Sequence, residues 1–165
     1  MGTLARYTND RDKMVVKANE LIQKSRFSLS MQQQKIVLYL ISQINYGDED
    51  FKEYEFDIQD FCRVCGIDHT SGKNYDDLKE QIKAIRDKSI WGLTVGGEET
   101  TLAWIEKPYI NRGSGKIRIR LDRDMKPFLL QLKQNFTRYE IINVLAMKSK
   151  YSIRLYELVK SIHFH

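Results

Sequence analysis

Hydrophobic and polar positions along this chain follow two periods, and the switches between them outline the elements. From Ser30 onward, Ile36, Val37, Leu38, Leu40, Ile41 and Ile44 are apolar on more than one face, which predicts a central core helix reaching about Asn45. Ser30 with Gln33 is a capping box, each side chain satisfying the other's free backbone N–H. Upstream, Met14-Val15-Val16 reads as a short strand and Asn19 to Lys24 as one or two helical turns, behind a polar, frayed stretch 1–12. Downstream, Gly47 and the acidic run Asp48-Glu49-Asp50 make an exposed loop. A short strand, Phe56-Asp57-Ile58, then precedes a helix to Cys65 that Asp57 caps and Gly66 ends.

After a loop from Asp68 to Lys73, Asn74 opens a helix through Lys88, with Tyr75, Leu78, Ile82 and Ile85 as its buried stripe. The period then falls to two. Ile90 to Val95, a Gly96-Gly97 turn and Thr100 to Ile105 predict a hairpin. The chain stays extended to Ile110, turns through Asn111-Arg112-Gly113-Ser114-Gly115, and alternates again from Lys116 to Leu121. There Ile117, Ile119 and Leu121 face the core, while Lys116, Arg118 and Arg120 share the other face. Asp122 or Asp124 caps a helix through Leu132 with Pro127 in its first turn. Phe136-Thr137-Arg138-Tyr139 leads into a helix from Glu140 to Met147. A last helix from about Ser149 carries Tyr151, Leu155, Leu158, Val159 and Ile162 as its apolar face. A helix–turn–helix followed by a β-wing is the α+β arrangement of a winged helix, here with additional C-terminal helices, as one domain over 1–165.

Composition narrows the class without naming a function. Hydrophobic content of 42% and charged content of 30% are ordinary for a soluble globular protein. No apolar run approaches membrane-spanning length, and the first 17 residues read as no signal peptide, so neither a membrane nor an export role is expected. Cys62 and Cys65 form a lone Cys-x-x-Cys without a second ligand pair; His69 alone does not complete a tetrahedral site. Cys62 or Cys65 reads as a small core residue on a helix face, in a reducing compartment and with no metal.

Charge distribution says more. Residues 1–106 carry 14 Lys+Arg and 18 Asp+Glu, whereas residues 107–165 carry 13 and 4. A net −4 followed by a net +9 favours a polyanionic partner for the last third. The helix opened by Asn74 is a poor match for base reading, because Asp76, Asp77 and Glu80 crowd its first turns, where recognition helices meet DNA. It therefore packs on protein or meets DNA through Lys79, Lys83 and Arg86. The strand cations Lys116, Arg118 and Arg120, beside a Gly-rich turn, suit a grip on a phosphate backbone; they suit equally well a solubilised strand face.

Two segments carry a family resemblance. Phe136-Thr137-Arg138-Tyr139, with Leu145-Ala146-Met147-Lys148-Ser149-Lys150-Tyr151-Ser152-Ile153-Arg154-Leu155-Tyr156-Glu157-Leu158, resembles the end of the first winged-helix domain of Rep3-class plasmid replication initiators. Val16 to Ile22 and Leu29 to Ile36 resemble that domain's opening. The resemblance implies a non-enzymatic protein, without cofactors, that binds repeated double-stranded DNA sites (iterons) at a plasmid origin in the bacterial cytoplasm. Monomers of the family initiate replication; dimers tend to be inactive and can repress the initiator's gene. The resemblance also implies a homodimer, host initiator and helicase as partners, and a second winged helix, absent from this sequence, that makes the main sequence-specific contacts. Individual contacts do not transfer. On charge and placement the candidates are Arg112, Lys116, Arg118, Arg120, Lys148, Lys150 and Arg154, with a structural bond to Glu157 as the alternative for Arg154.

Three other functions compete. A winged-helix transcriptional regulator shares the fold but calls for a more basic recognition helix. A dimerisation module would leave the basic face empty. A DNA-nicking enzyme would use His163-Phe164-His165 as metal ligands with a tyrosine nucleophile, but that motif lies at the terminus with no rigid strand or third ligand.

Overall fold

The computed structural model describes residues 13–65 and 72–163, with positions 64, 65, 73–75 and 163 described by backbone alone. The expectations for 1–12, Gly66, His69, Phe164 and His165 therefore lie outside the described residues. The elements run β1 (Met14–Ala18), α1 (Asn19–Lys24), α2 (Met31–Ser42), β2 (Tyr54–Asp57), α3 (Ile58–Cys65), α4 (Gly72–Ile85), β3 (Ser89–Val95) and β4 (Glu98–Ala103). They continue with β5 (Tyr109–Ile110), β6 (Lys116–Ile119), a 3₁₀ turn (Arg123–Met125), α5 (Lys126–Leu129), β7 (Phe136–Glu140), α6 (Ile142–Leu145) and α7 (Lys150–His163). Among the described residues the strands form three small antiparallel sheets: β1 with β7, β2-β6-β5, and the β3–β4 hairpin.

The core forms around α2, whose residues from Gln33 to Ser42 are all buried. Its capping box is present in full: Gln33 N donates to Ser30 Oγ at 3.1 Å and Ser30 N to Gln33 Oε1 at 3.0 Å. Tyr39 on α2, Phe56 on β2 and Phe61 on α3 meet edge-on or tilted, which ties the first half of the helix–turn–helix to the central helix. Asp57 caps α3 as expected, accepting from Gln59 N at 2.8 Å. Cys62 is fully buried on the same helix. The α4 stripe is buried at Leu78, Ile82 and Ile85. A glutamine network fixes α4 on the start of α2. Gln33 Nε2 donates to Gln81 O at 3.1 Å, Gln81 Nε2 to Gln32 Oε1 at 2.5 Å, and Ser30 Oγ to Gln81 Oε1.

The predicted hairpin is β3–β4, turning through Gly96 and Gly97, both at positive φ. A bulge between Ile90 and Leu93 places Gly92 at φ +89, where an added Cβ would lie 2.3 Å from Lys24 O. Only glycine lets the hairpin come this close to the end of α1, where Trp91 and Arg26 exchange backbone hydrogen bonds of 2.8 and 2.7 Å.

Two expectations need correction. Phe136 to Tyr139 is not a lead-in to a helix from Glu140 to Met147; it is β7, paired with β1 in the register Val15 to Tyr139 and Lys17 to Thr137. Alternate burial of Thr137 and Tyr139 holds it extended, and α6 is one turn only. The helix through Leu132 stops at Leu129, because Leu130 is already extended at φ −110° and ψ 143°, and Gln131 beyond it takes a positive φ of 53°.

Candidate nucleic-acid interface

The alternation from Lys116 to Leu121 puts Ile117, Ile119 and Leu121 into the core and turns Lys116, Arg118 and Arg120 outward, as expected. Asn111 builds the preceding turn by accepting from Gly113 N at 2.9 Å and Ser114 N at 3.0 Å, which leaves Arg112 exposed at its tip. The three strand cations are not open charges, however. Lys116 pairs with Glu55 at 3.5 Å, Arg118 with Glu53 at 3.2 Å and Arg120 with Glu106 at 4.0 Å. Arg118 also lies over the Tyr109 ring, 4.7 Å from its centroid. A cleft of about 460 Å³ at this face is lined by Glu55, Tyr109, Asn111, Ser114, Lys116 and Arg118. Three carboxylates thus balance three cations. Exposed pairs of this kind contribute about 0–1 kcal/mol each, so a phosphate can displace a glutamate, but the face attracts none from a distance.

Glu53 just before β2 and Glu55 and Asp57 on it alternate as the cations do along and just after β6, and the two strands pair with Glu55 opposite Arg118. This complementary acidic run was visible in the sequence. Reading the basic strand without its partner missed it.

Two of the three acids at the start of α4 are likewise engaged, Asp76 with Lys79 at 3.3 Å and Glu80 with Lys83 at 2.8 Å. Among the described side chains of α4, these two pairs and exposed Asp77 leave no excess of positive charge near its start. Lys148 and Lys150, at the start of α7, are exposed and have no carboxylate partner among the described residues; Lys150 lies 5.3 Å from the Tyr151 ring centroid.

Arg154 belongs to a different arrangement. Its guanidinium donates to Ile22 O at 3.2 Å and Ser25 O at 3.4 Å and stacks on Phe27, 4.5 Å from the ring centroid. Burial pulls its pKa below the usual arginine range, with the Glu157 carboxylate opposing. The structural alternative fits this geometry, although the bonds go to backbone carbonyls that cap the end of α1 rather than to Glu157.

Glu157 has its own partners. Fully buried, it binds Lys17 Nζ at 2.8 Å and accepts from Tyr139 Oη at 2.7 Å. Burial lowers the Lys17 pKa against the pull of Glu157, and burial together with the adjacent carboxylate raises that of Tyr139 well above the usual tyrosine range. This cluster joins β1, β7 and α7. Nothing in the local sequence patterns announced it, because its three members lie up to 140 residues apart.

With this geometry in hand, a family model described as the WH1 domain of initiator replication protein matches residues 14–160. The chain belongs to that initiator family. A replication initiation protein of Escherichia coli is 26% identical over 153 residues, which make up 87% of this chain and 45% of that protein. The initiator domain thus spans about half the length of its curated relative. Its fold is similar to the crystal structure of Pi initiator protein in complex with iteron DNA, with a TM-score of 0.71, 18% identity, and coverage of 94% of this chain and 66% of that one. The α+β winged-helix reading is thereby supported over nearly the whole initiator domain. Among the described residues no helix is long and apolar enough to cross a membrane, and no group of three or more His, Cys, Asp and Glu is placed to hold a metal.

Proposed function

We propose that this chain is the first winged-helix domain of a plasmid replication initiator, a non-enzymatic domain that contacts repeated origin DNA through phosphates and self-associates in the bacterial cytoplasm. A second winged helix would supply most of the base reading, and the host initiator and helicase would be downstream partners. The match of 147 consecutive residues to the initiator WH1 family carries this reading. A structural relative described in complex with iteron DNA supports the choice of ligand.

Within the domain, Arg112, Lys148 and Lys150, which have no carboxylate partner among the described residues, are the primary phosphate contacts. Lys116, Arg118 and Arg120 join once DNA displaces their carboxylates. Arg154 is left out of the contact set because its donors serve α1. One observation favours a second reading, an association module without DNA affinity of its own: the β6 face is charge-balanced by Glu53, Glu55 and Glu106.

Titration of repeat-bearing origin duplex against scrambled duplex, at low and moderate salt, separates the two. Phosphate gripping gives salt-sensitive binding. Changing Arg112, Lys148 and Lys150 to Ala then reduces the log–log salt slope by about 0.9 for each phosphate left without its cation. The same change at Lys116, Arg118 and Arg120 has a smaller effect. Absence of binding to either duplex, with a dimer by light scattering, would instead assign the domain to association alone.

A further inference from the structure

Residues 22–27, the end of α1 and the start of its connection to α2, are gripped from two sides. From α7, Arg154 reaches Ile22 O and Ser25 O and stacks on Phe27, and Ser161 Oγ accepts from Gln23 Nε2 at 3.1 Å. From the hairpin, Trp91 exchanges both backbone hydrogen bonds with Arg26, and Gly92 lies against Lys24 O. The two grips interleave. Helix α7 holds Ile22, Gln23, Ser25 and Phe27, and the hairpin holds Lys24 and Arg26. The adjacent carbonyls of Ser25 and Arg26 thus serve opposite elements. Phe27 extends the link, because its second neighbour is Trp104, just past β4.

We propose that Arg154 is a positioning residue for the β-hairpin: by fixing the path of residues 22–27, it couples the seating of α7 to the angle at which β3–β4 leaves the domain. A helix end leaves its last carbonyls without intrahelical donors, so the course of the chain beyond it depends on what binds them. Here one side chain binds two of those carbonyls and packs against the ring that follows. The planar guanidinium suits that task, since its donors diverge in a fixed fork while its face stacks on an aromatic. With the connector so held, Arg26 is in register for Trp91. Drawing α7 off the domain frees the connector and, with it, the base of the hairpin. Forcing the hairpin away loosens Arg154 in return, because coupling between two sites is reciprocal. None of this requires DNA, and the readouts are of the protein alone.

Contiguous contacts become coupling only when a change at one end is felt at the other. The test is amide hydrogen exchange by NMR on the 165-residue chain. In Arg154→Ala, the Arg26 and Trp91 amides should exchange at least tenfold faster relative to those of β2 and β6, which lie in a separate sheet. Arg154→Lys, which retains an ammonium donor for the carbonyls, should recover part of that protection; it shows the same selectivity should the alanine variant fail to fold. The reverse arm uses Gly92→Ala, which pushes the hairpin off Lys24 O and should shift the Arg154 guanidinium resonance. Combined with Arg154→Ala, it should accelerate the Arg26 amide by less than the product of the two single effects. Equal acceleration in every sheet, which a general loss of stability produces, would overturn the proposal. So would unchanged Arg26 and Trp91 amides, an Arg154 resonance indifferent to Gly92→Ala, or fully multiplicative effects in the double variant.

Discussion

Helices α2 and α7 have similar lengths, 12 and 14 residues, and the same kind of apolar content, yet they are held in opposite ways. Around α2 the core closes on nearly every side, and Ile36, Leu40 and Ile41 are at most 1% exposed. Helix α7 is attached through Lys17, Glu157, Tyr139 and Arg154, with most of its large apolar residues facing water. Periodicity in a sequence thus identifies a face that suits burial, not the partner that buries it. The energetics differ accordingly: α2 rests on many small, non-directional contributions and α7 on a few directional ones.

The contrast can be broken most sharply at Glu157. Glu157→Ala leaves the Lys17 ammonium and the Tyr139 hydroxyl buried without their acceptor and should cost about 3–5 kcal/mol in chemical denaturation. The Lys17→Met/Glu157→Leu double variant should recover most of that stability, because it removes the uncompensated charge. A double variant as unstable as Glu157→Ala would mean that the position tolerates no apolar replacement and that charge is not the cause.

A matched pair of truncations tests the two helices directly. Leu40→Ala should destabilise by about 2–5 kcal/mol through reduced burial and the cavity it leaves. Leu155→Ala, on the exposed stripe, should stay within about 0.5 kcal/mol of the parent. Comparable destabilisation at the two sites, read from denaturant midpoints, would show that α7 is covered in solution.

The smallest expected effect concerns pH. Tyr139 is raised well above the usual tyrosine range, and partly buried Tyr54 is raised to about 12, chiefly by burial. For a group whose folded pKa is raised, the stabilisation is complete below the unfolded value near 10 and is lost as pH climbs from there through the folded value. Lys17, lowered by burial, works in the other direction, its contribution growing as pH approaches 10.5. The melting temperature should therefore fall above pH 10, and Tyr139→Phe should make that fall shallower. An unchanged slope in Tyr139→Phe would remove Tyr139 as the source.

Local signals carried much of this fold. The Ser30–Gln33 capping box, the Asp57 cap, the α4 stripe, the Gly-Gly hairpin and the alternation of β6 all follow from short-range chemistry, and all are present. What escaped was long-range. The pairing of β1 with β7 joins segments some 120 residues apart, and a five-residue strand with two inward side chains has no periodicity strong enough to announce itself. The site followed the same rule. The alternation placed Lys116, Arg118 and Arg120 on one face, but their neutralisation by Glu53, Glu55 and Glu106 depends on strand pairing and on the path of the chain beside β6. For Arg154 a structural role was already an open alternative in the sequence, but its acceptors, Ile22 O and Ser25 O at the end of α1, lie some 130 residues away and were not legible.

The placement of the two tryptophans gives this domain an optical readout of its own assembly. Trp104 is 1% exposed, and its indole N–H has no acceptor among the described residues; Phe27 packs edge-on at 5.1 Å and the Lys17 ammonium lies 5.7 Å from its ring. Trp91, on the hairpin, is 52% exposed. Trp104 therefore emits from a dry environment at short wavelength and is shielded from dissolved quenchers, while Trp91 emits at longer wavelength and is open to them. Because Lys17 faces both Trp104 and Glu157, release of the last helix perturbs the blue component first, and loosening of the hairpin leaves its mark on the red one.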